Sequence, residues 1–135
     1  IIIMVAFILS SCSSTRWLKG SWEGIGYQID GHTWAVDLDA SDQTDIKISY
    51  PSLQCSGEWT IIEKEAGKLL LKENITLGMD KCDQGNEVEV TRLSKDEINV
   101  EFYLRWFNPD DPIATAKLIK NKIDLHKYYP EGAGY

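Results

Sequence analysis

Ile98-Asn99-Val100-Glu101-Phe102-Tyr103-Leu104-Arg105 decides the reading of this chain. Successive side chains of an extended strand point to opposite sides. Ile98, Val100, Phe102 and Leu104 therefore share one face, and Asn99, Glu101, Tyr103 and Arg105 share the other. Such alternation marks a β-strand with one buried face. Turn formers bracket it, with Ser94 to Asp96 before and Asn108-Pro109-Asp110-Asp111-Pro112 after.

Outward from this strand the same alternation recurs, broken by turns. Residues 21–29 read as a first strand, and Asp30-Gly31 as a hairpin turn into a second, where Trp34, Val36 and Leu38 face inward while Asp37 and Asp39 face water. Ile46, Ile48 and Tyr50 mark a third strand that Pro51 closes, because proline cannot donate to a ladder. Trp59 with Ile61 marks a fourth after Cys55, Leu69 with Leu71 a fifth, and Val88 with Val90 a sixth, before and after a polar loop from Gly78 to Gly85. Residues 113–120 read as the last strand through Ala114, Ala116 and Leu118, in preference to a helix opened by Pro112. About eight short antiparallel strands predict an all-β fold, a small closed or partly open up-and-down barrel over residues 20–120 that removes its own edges.

The chain has 135 residues, 43% of them hydrophobic and 26% charged, with a net charge of −7. That is the composition of one folded domain and excludes disorder. With 21 acidic against 14 basic residues, phosphate backbones are repelled, so no nucleic-acid partner is expected. Gly20 to Asp111 holds 19 acidic and 8 basic residues; Arg16 and Lys19 add +2 before it and Pro112 to Tyr135 adds +2 after it, where Lys120, Lys122 and Lys127 with Tyr128 and Tyr129 lead into a C-terminal tail, residues 121–135.

Ile1 to Leu9 is an uncharged apolar run followed by Ser10, Ser11 and Cys12. It is too short to span a bilayer and fits the hydrophobic region of a secretory signal. Leu9-Ser10-Ser11-Cys12 resembles the bacterial lipobox, which implies a signal peptide over residues 1–11, lipid on Cys12 and a tether over 12–19. No Lys or Arg precedes the run and Met4 leaves too short a segment, so the signal is expected to be truncated at its start. The resemblance implies a lipid-anchored protein of the bacterial cell envelope, with Ser13 pointing to the outer membrane, facing the periplasm or the cell surface. With Cys12 given to lipid, Cys55 and Cys82 remain as a disulfide pair for an oxidising compartment. The rival, a metal site, lacks C-x-x-C spacing and has only His32 and His126 as imidazoles, so no metal is expected.

Gly20-Ser21-Trp22 is similar to the Gly-x-Trp opening of lipocalins and related calycins. The resemblance implies that Trp22 plugs the closed end of the barrel and that a basic residue on a late strand, Arg105 here, packs across its ring. The chain lacks the usual length and the second signature loop of that family, which implies a compact calycin-like barrel. The stretch from Tyr50 to Trp59, followed by Glu73 and Cys82, also resembles small uncharacterised bacterial exported β-domains, a likeness that implies a fold and no activity.

Catalytic and cofactor chemistry find no footing. Two histidines without a Gly-x-Ser-x-Gly elbow form no nucleophile and base pair, and the lone Gly24-x-Gly26 has no helix behind it to receive a phosphate, so it reads as curvature. Asp37 to Asp45 is rich in carboxylates but has Asp42 where a calcium loop needs Gly and Ile48 where it needs Glu. Asp80, Asp83 and Glu87 form a second acidic loop. Trp22, Trp34, Trp59, Phe102 and Arg105 are the candidate pocket or core, with Trp106 a further aromatic. The expected function is a non-enzymatic binding module for a small apolar ligand or an envelope protein, held to the membrane by its N-terminal lipid and needing no cofactor. The alternative is a periplasmic interaction protein such as a lysozyme-type enzyme inhibitor.

Overall fold

The computed structural model describes residues 14–121. The leader, Cys12 and nearly all of the basic tail lie outside the described residues. Eight strands follow in chain order: β1 Ser21–Gln28, β2 Thr33–Asp39, β3 Ile46–Tyr50, β4 Cys55–Glu65, β5 Lys68–Leu77, β6 Glu87–Ser94, β7 Glu97–Tyr103 and β8 Ala114–Lys120. Every neighbour in sequence is an antiparallel neighbour in the sheet, and β1 pairs with β8 from Trp22↔Lys120 to Gln28↔Ala114, which closes the barrel. Residues 114–120 are thus a strand, their register set by Ala114, Ala116 and Leu118 turning inward.

Up-and-down order sends the chain to alternate ends. Connections after β1, β3, β5 and β7 gather at one end, the mouth; those after β2, β4 and β6 gather at the other. The inward positions read from alternation are the buried ones: Val36, Leu38, Ile46, Ile48, Leu69, Leu71, Val88, Val90, Ile98, Val100 and Leu118 are all essentially inaccessible. Each full burial of such a side chain is worth about 1.5–3 kcal/mol. Asp37 and Asp39 face outward, as their phase requires. The β2–β3 ladder is short, running only from Asp37↔Ser49 to Asp39↔Lys47. Beyond it the 3₁₀ turn Pro51–Leu53 covers the gap, with Ala35 N donating to Ser52 Oγ at 2.9 Å.

The closed end is stoppered by Leu18, carried in on the 3₁₀ turn Arg16–Leu18, and by Trp22 above it, with 0% and 1% exposure. Trp22 Nε1 donates to the Leu18 carbonyl at 2.8 Å, so the buried indole has its partner. The cation over this ring is Lys120, its Nζ 5.5 Å from the ring centroid. Arg105, the residue that the calycin resemblance put there, is at the other end of the barrel. β7 begins at the closed end and runs away from it, so a residue beyond Tyr103 emerges at the mouth, whereas Lys120 is paired directly with Trp22 across the β1–β8 seam. Gly20 makes room for this arrangement: its φ is +128°, and a Cβ there would meet Lys120 Cε at 2.9 Å.

At the mouth, Cys55 at the head of β4 is disulfide-bonded to Cys82 in the β5–β6 connection, with 6.4 Å between Cα atoms. On the chain-entropy account, closing this loop contributes about 3–4 kcal/mol. It also holds the loop over the interior.

Candidate functional site

Along β5 the inward positions are Leu69, Leu71, Glu73 and Ile75. Three are apolar and one is a carboxylate, only 2% exposed. A buried carboxylate is costly unless donors surround it. Glu73 Oε2 accepts from the Tyr50 hydroxyl and from Trp59 Nε1 at 2.9 Å, while Oε1 accepts from Asn86 Nδ2 at 3.3 Å. The backbone adds a further tie, Glu73 N donating to the Asn86 carbonyl at 2.9 Å. Burial pushes the Glu73 carboxyl above its ordinary range, and the bonds from Tyr50, Trp59 and Asn86 pull it back in part. Burial, and then the neighbouring Glu73 charge, push the Tyr50 hydroxyl well up.

Above this cluster the aromatic side chains meet at Phe102. Trp34, Tyr50 and Trp59 each contact it edge to face, with ring centroids 6.4, 6.1 and 6.4 Å away. Trp34 reaches its place because it lies flat against Gly26, where a Cβ would come within 2.5 Å of the indole. Between these rings and the loops lies a cavity of about 360 Å³, lined by Trp34, Tyr50, Phe102, Leu53, Ile113 and Ala114, with Glu73 and Asn86 at its polar side. His32, Asp80, Lys81, Cys82 and Asp83 form its rim. The disulfide therefore fixes one wall of the opening.

Asn86 is 7% exposed, and among the described residues its Oδ1 has no hydrogen-bond partner. The orientation of the amide follows from its neighbour: turning Nδ2 toward Glu73 satisfies the carboxylate, whereas the reversed amide would set two acceptors against each other. An unpartnered buried acceptor of this kind costs about 1–3 kcal/mol.

Of the expected pocket residues, Trp34 and Phe102 line the cavity, while Trp59 lies beneath it, bonded to Glu73. Trp22 is at the opposite end. Arg105 lies outside the barrel, where its Nε donates to Glu87 Oε2 at 3.0 Å, its Nη1 donates to the Pro109 carbonyl at 2.6 Å, and its guanidinium sits 4.0 Å from the Tyr103 ring centroid. It braces the β7–β8 connection. Trp106 is no part of the pocket: it is 78% exposed on that connection, stacked edge to face on Phe107. The carboxylates of the β2–β3 connection turn on their own chain, Asp42 Oδ1 accepting from Thr44 N and Oγ1 at 2.9 and 2.7 Å. Among the described residues no group of three or more His, Cys, Asp or Glu is placed to hold a metal ion.

Glu73 and Asn86 were not singled out as site residues from the sequence. The signal for Glu73 was present in its phase, in step with Leu69, Leu71 and Ile75. Asn86, one residue before β6, carries no such signal.

No family model and no curated protein matches this chain. Among solved structures, a redesigned β-barrel is similar, with a TM-score of 0.58 and 15% sequence identity over 84% of this chain and 99% of that one. At that identity the likeness is one of fold, a small closed antiparallel barrel.

Proposed function

We propose that this chain is a non-enzymatic binding module of the bacterial cell envelope, anchored through lipid on Cys12, that takes a small, largely apolar ligand in the mouth of its barrel. The observation that carries the reading is the cavity of about 360 Å³ between Trp34, Tyr50 and Phe102, a size and an aromatic lining suited to a small organic molecule. The closed end is filled, so a ligand has one way in. The anchor rests on Leu9-Ser10-Ser11-Cys12 after the apolar run. Two or more acyl chains would hold it firmly, each buried methylene adding about 0.8 kcal/mol.

The test uses the full chain in mild detergent with N-phenyl-1-naphthylamine, whose emission rises in apolar surroundings. Saturable one-to-one binding is expected, abolished by Ala114→Phe, which fills the cavity from its wall. Non-saturable binding, or binding indifferent to Ala114→Phe, would overturn the reading. For the anchor, Cys12→Ala should end palmitate labelling and membrane fractionation.

One observation favours a second reading, a protein partner such as a basic enzyme of the envelope. Trp106 and Phe107, 78% and 62% exposed, stand beside Asp110 and Asp111 on a connection braced by Arg105. Exposed aromatics flanked by carboxylates suit a basic surface. Lysozyme is the probe, and an unchanged rate at micromolar concentrations of this chain removes that reading.

A further inference from the structure

The ligand class follows from a donor and acceptor inventory of the mouth cavity, and the inference rests on the ligand-binding reading above. On the polar side, Glu73 Oε2 is taken by two donors, Glu73 Oε1 has one, Asn86 Nδ2, at 3.3 Å, and Asn86 Oδ1 has none. The surplus is of acceptors. At the rim, the Lys81 ammonium is bonded to the neutral Gln54 Oε1 at 2.5 Å and His32 Nδ1 pairs with Asp30 Oδ2 at 2.8 Å, while the carboxylates of Asp80 and Asp83, with Glu73 below them, outnumber that one ammonium. The opening is thus acidic, which favours entry of a cation.

We propose that the cavity selects an amine-bearing ligand, a protonated primary or secondary ammonium on an apolar or aromatic body, whose N–H groups donate to Asn86 Oδ1 and Glu73 Oε1. A hydrocarbon would leave Asn86 Oδ1 unsatisfied, and a carboxylic acid would set a second anion beside Glu73. An alcohol supplies one neutral donor. Of these four, the ammonium alone supplies two or more donors with the charge that strengthens bonds to a carboxylate. The rings of Trp34, Tyr50 and Phe102 receive the apolar body.

The experiment compares 1-naphthylmethylamine, 1-naphthylmethanol and 1-naphthoic acid by calorimetry on the full chain near neutral pH. The amine is expected to bind about tenfold or more tightly than the alcohol, and the acid most weakly. In Asn86→Leu and in Glu73→Gln the preference of amine over alcohol should shrink to about threefold or less, with thermal unfolding showing that each variant is folded. Glu73→Gln preserves the shape of the side chain and keeps the test decisive if Asn86→Leu fails to fold. An alcohol that binds as tightly as the amine, or a preference that survives both substitutions, overturns the amine assignment while leaving the cavity a binding site. Should none of the three bind while N-phenyl-1-naphthylamine does, the amine assignment also falls. Should that probe fail as well, the binding reading falls with it.

Discussion

The two ends of the barrel solve the same problem, how to finish a sheet that has closed on itself, with opposite chemistry. At the closed end Leu18 and Trp22 fill the space, and the Trp22 indole is satisfied by the carbonyl of Leu18, four residues before it. At the mouth the indole of Trp59 is satisfied instead by a buried carboxylate, and that carboxylate brings Tyr50 and Asn86 with it. Among the described residues, the closed end leaves Trp17 Nε1, a donor, without a partner; the mouth leaves Asn86 Oδ1, an acceptor, and has a cavity beside it. Filling stabilises a barrel. A buried, partly satisfied polar cluster does not, and at the mouth that cluster stands beside open volume, where the proposed ligand would enter.

The largest expected effect tests whether the two ends are independent. Trp22→Ala removes the plug and should cost about 3–5 kcal/mol in denaturant unfolding. Ligand affinity of the folded fraction should stay within about twofold, because sites far apart with no shared partners act additively. Loss of both together would show that the closed end shapes the mouth.

The comparison also shows what could be read in one dimension. Alternation at Ile98, Val100 and Phe102, and at Trp34, Val36 and Leu38, is a direct imprint of the pleat, so strand number and inward faces were legible. The strand reading of 114–120 followed from the same imprint. The partner of Trp22 is Lys120 and not Arg105 because a motif does not state which end of the barrel a residue reaches; the strand directions send position 105 to the mouth and position 120 to the plug. Hydrophobicity without phase does not separate Trp106 from core aromatics, and it lies beyond the end of β7. The mouth cluster was hidden for a different reason. Glu73 meets Tyr50, Trp59 and Asn86 across three other strands or their flanks, contacts that depend on closure and on the register of β3, β4, β5 and β6 together.

A smaller effect sharpens the mouth side. Because burial raises the Glu73 carboxyl above its ordinary value of 4.5, the unfolded chain releases this proton at lower pH than the folded one does. Between the ordinary value and the raised one the folded state binds more protons, so stability from this group is full below the ordinary value and falls as pH rises through the window. Glu73→Gln does not titrate, and the remaining carboxylates cancel in the comparison. The difference in unfolding temperature, native minus variant, should therefore be most favourable to the native chain near pH 4 and decline toward neutrality. A difference that is flat or grows with pH would mean that the donors from Tyr50, Trp59 and Asn86 outweigh burial.

The smallest effect belongs to the closed end and separates Lys120 from Arg105. Lys120 lays its stem against Gly20 and its ammonium near the Trp22 ring, so Lys120→Met keeps the packing and removes only the cation. A contact of this kind is worth about 0.5–1 kcal/mol at an accessible site. Global unfolding alone would not distinguish it from Arg105→Met, which breaks the bonds to Glu87 and Pro109. The exchange rate of the Trp22 indole N–H does, since that proton is held by the Leu18 carbonyl beneath the ring. Lys120→Met should speed its exchange by a few-fold, on the scale of the lost contact. Arg105→Met should leave it unchanged and instead loosen the connection that carries Trp106 and Phe107. Equal effects of the two substitutions on that proton would place both cations at the plug and undo the division of the barrel into a sealed end and an open one.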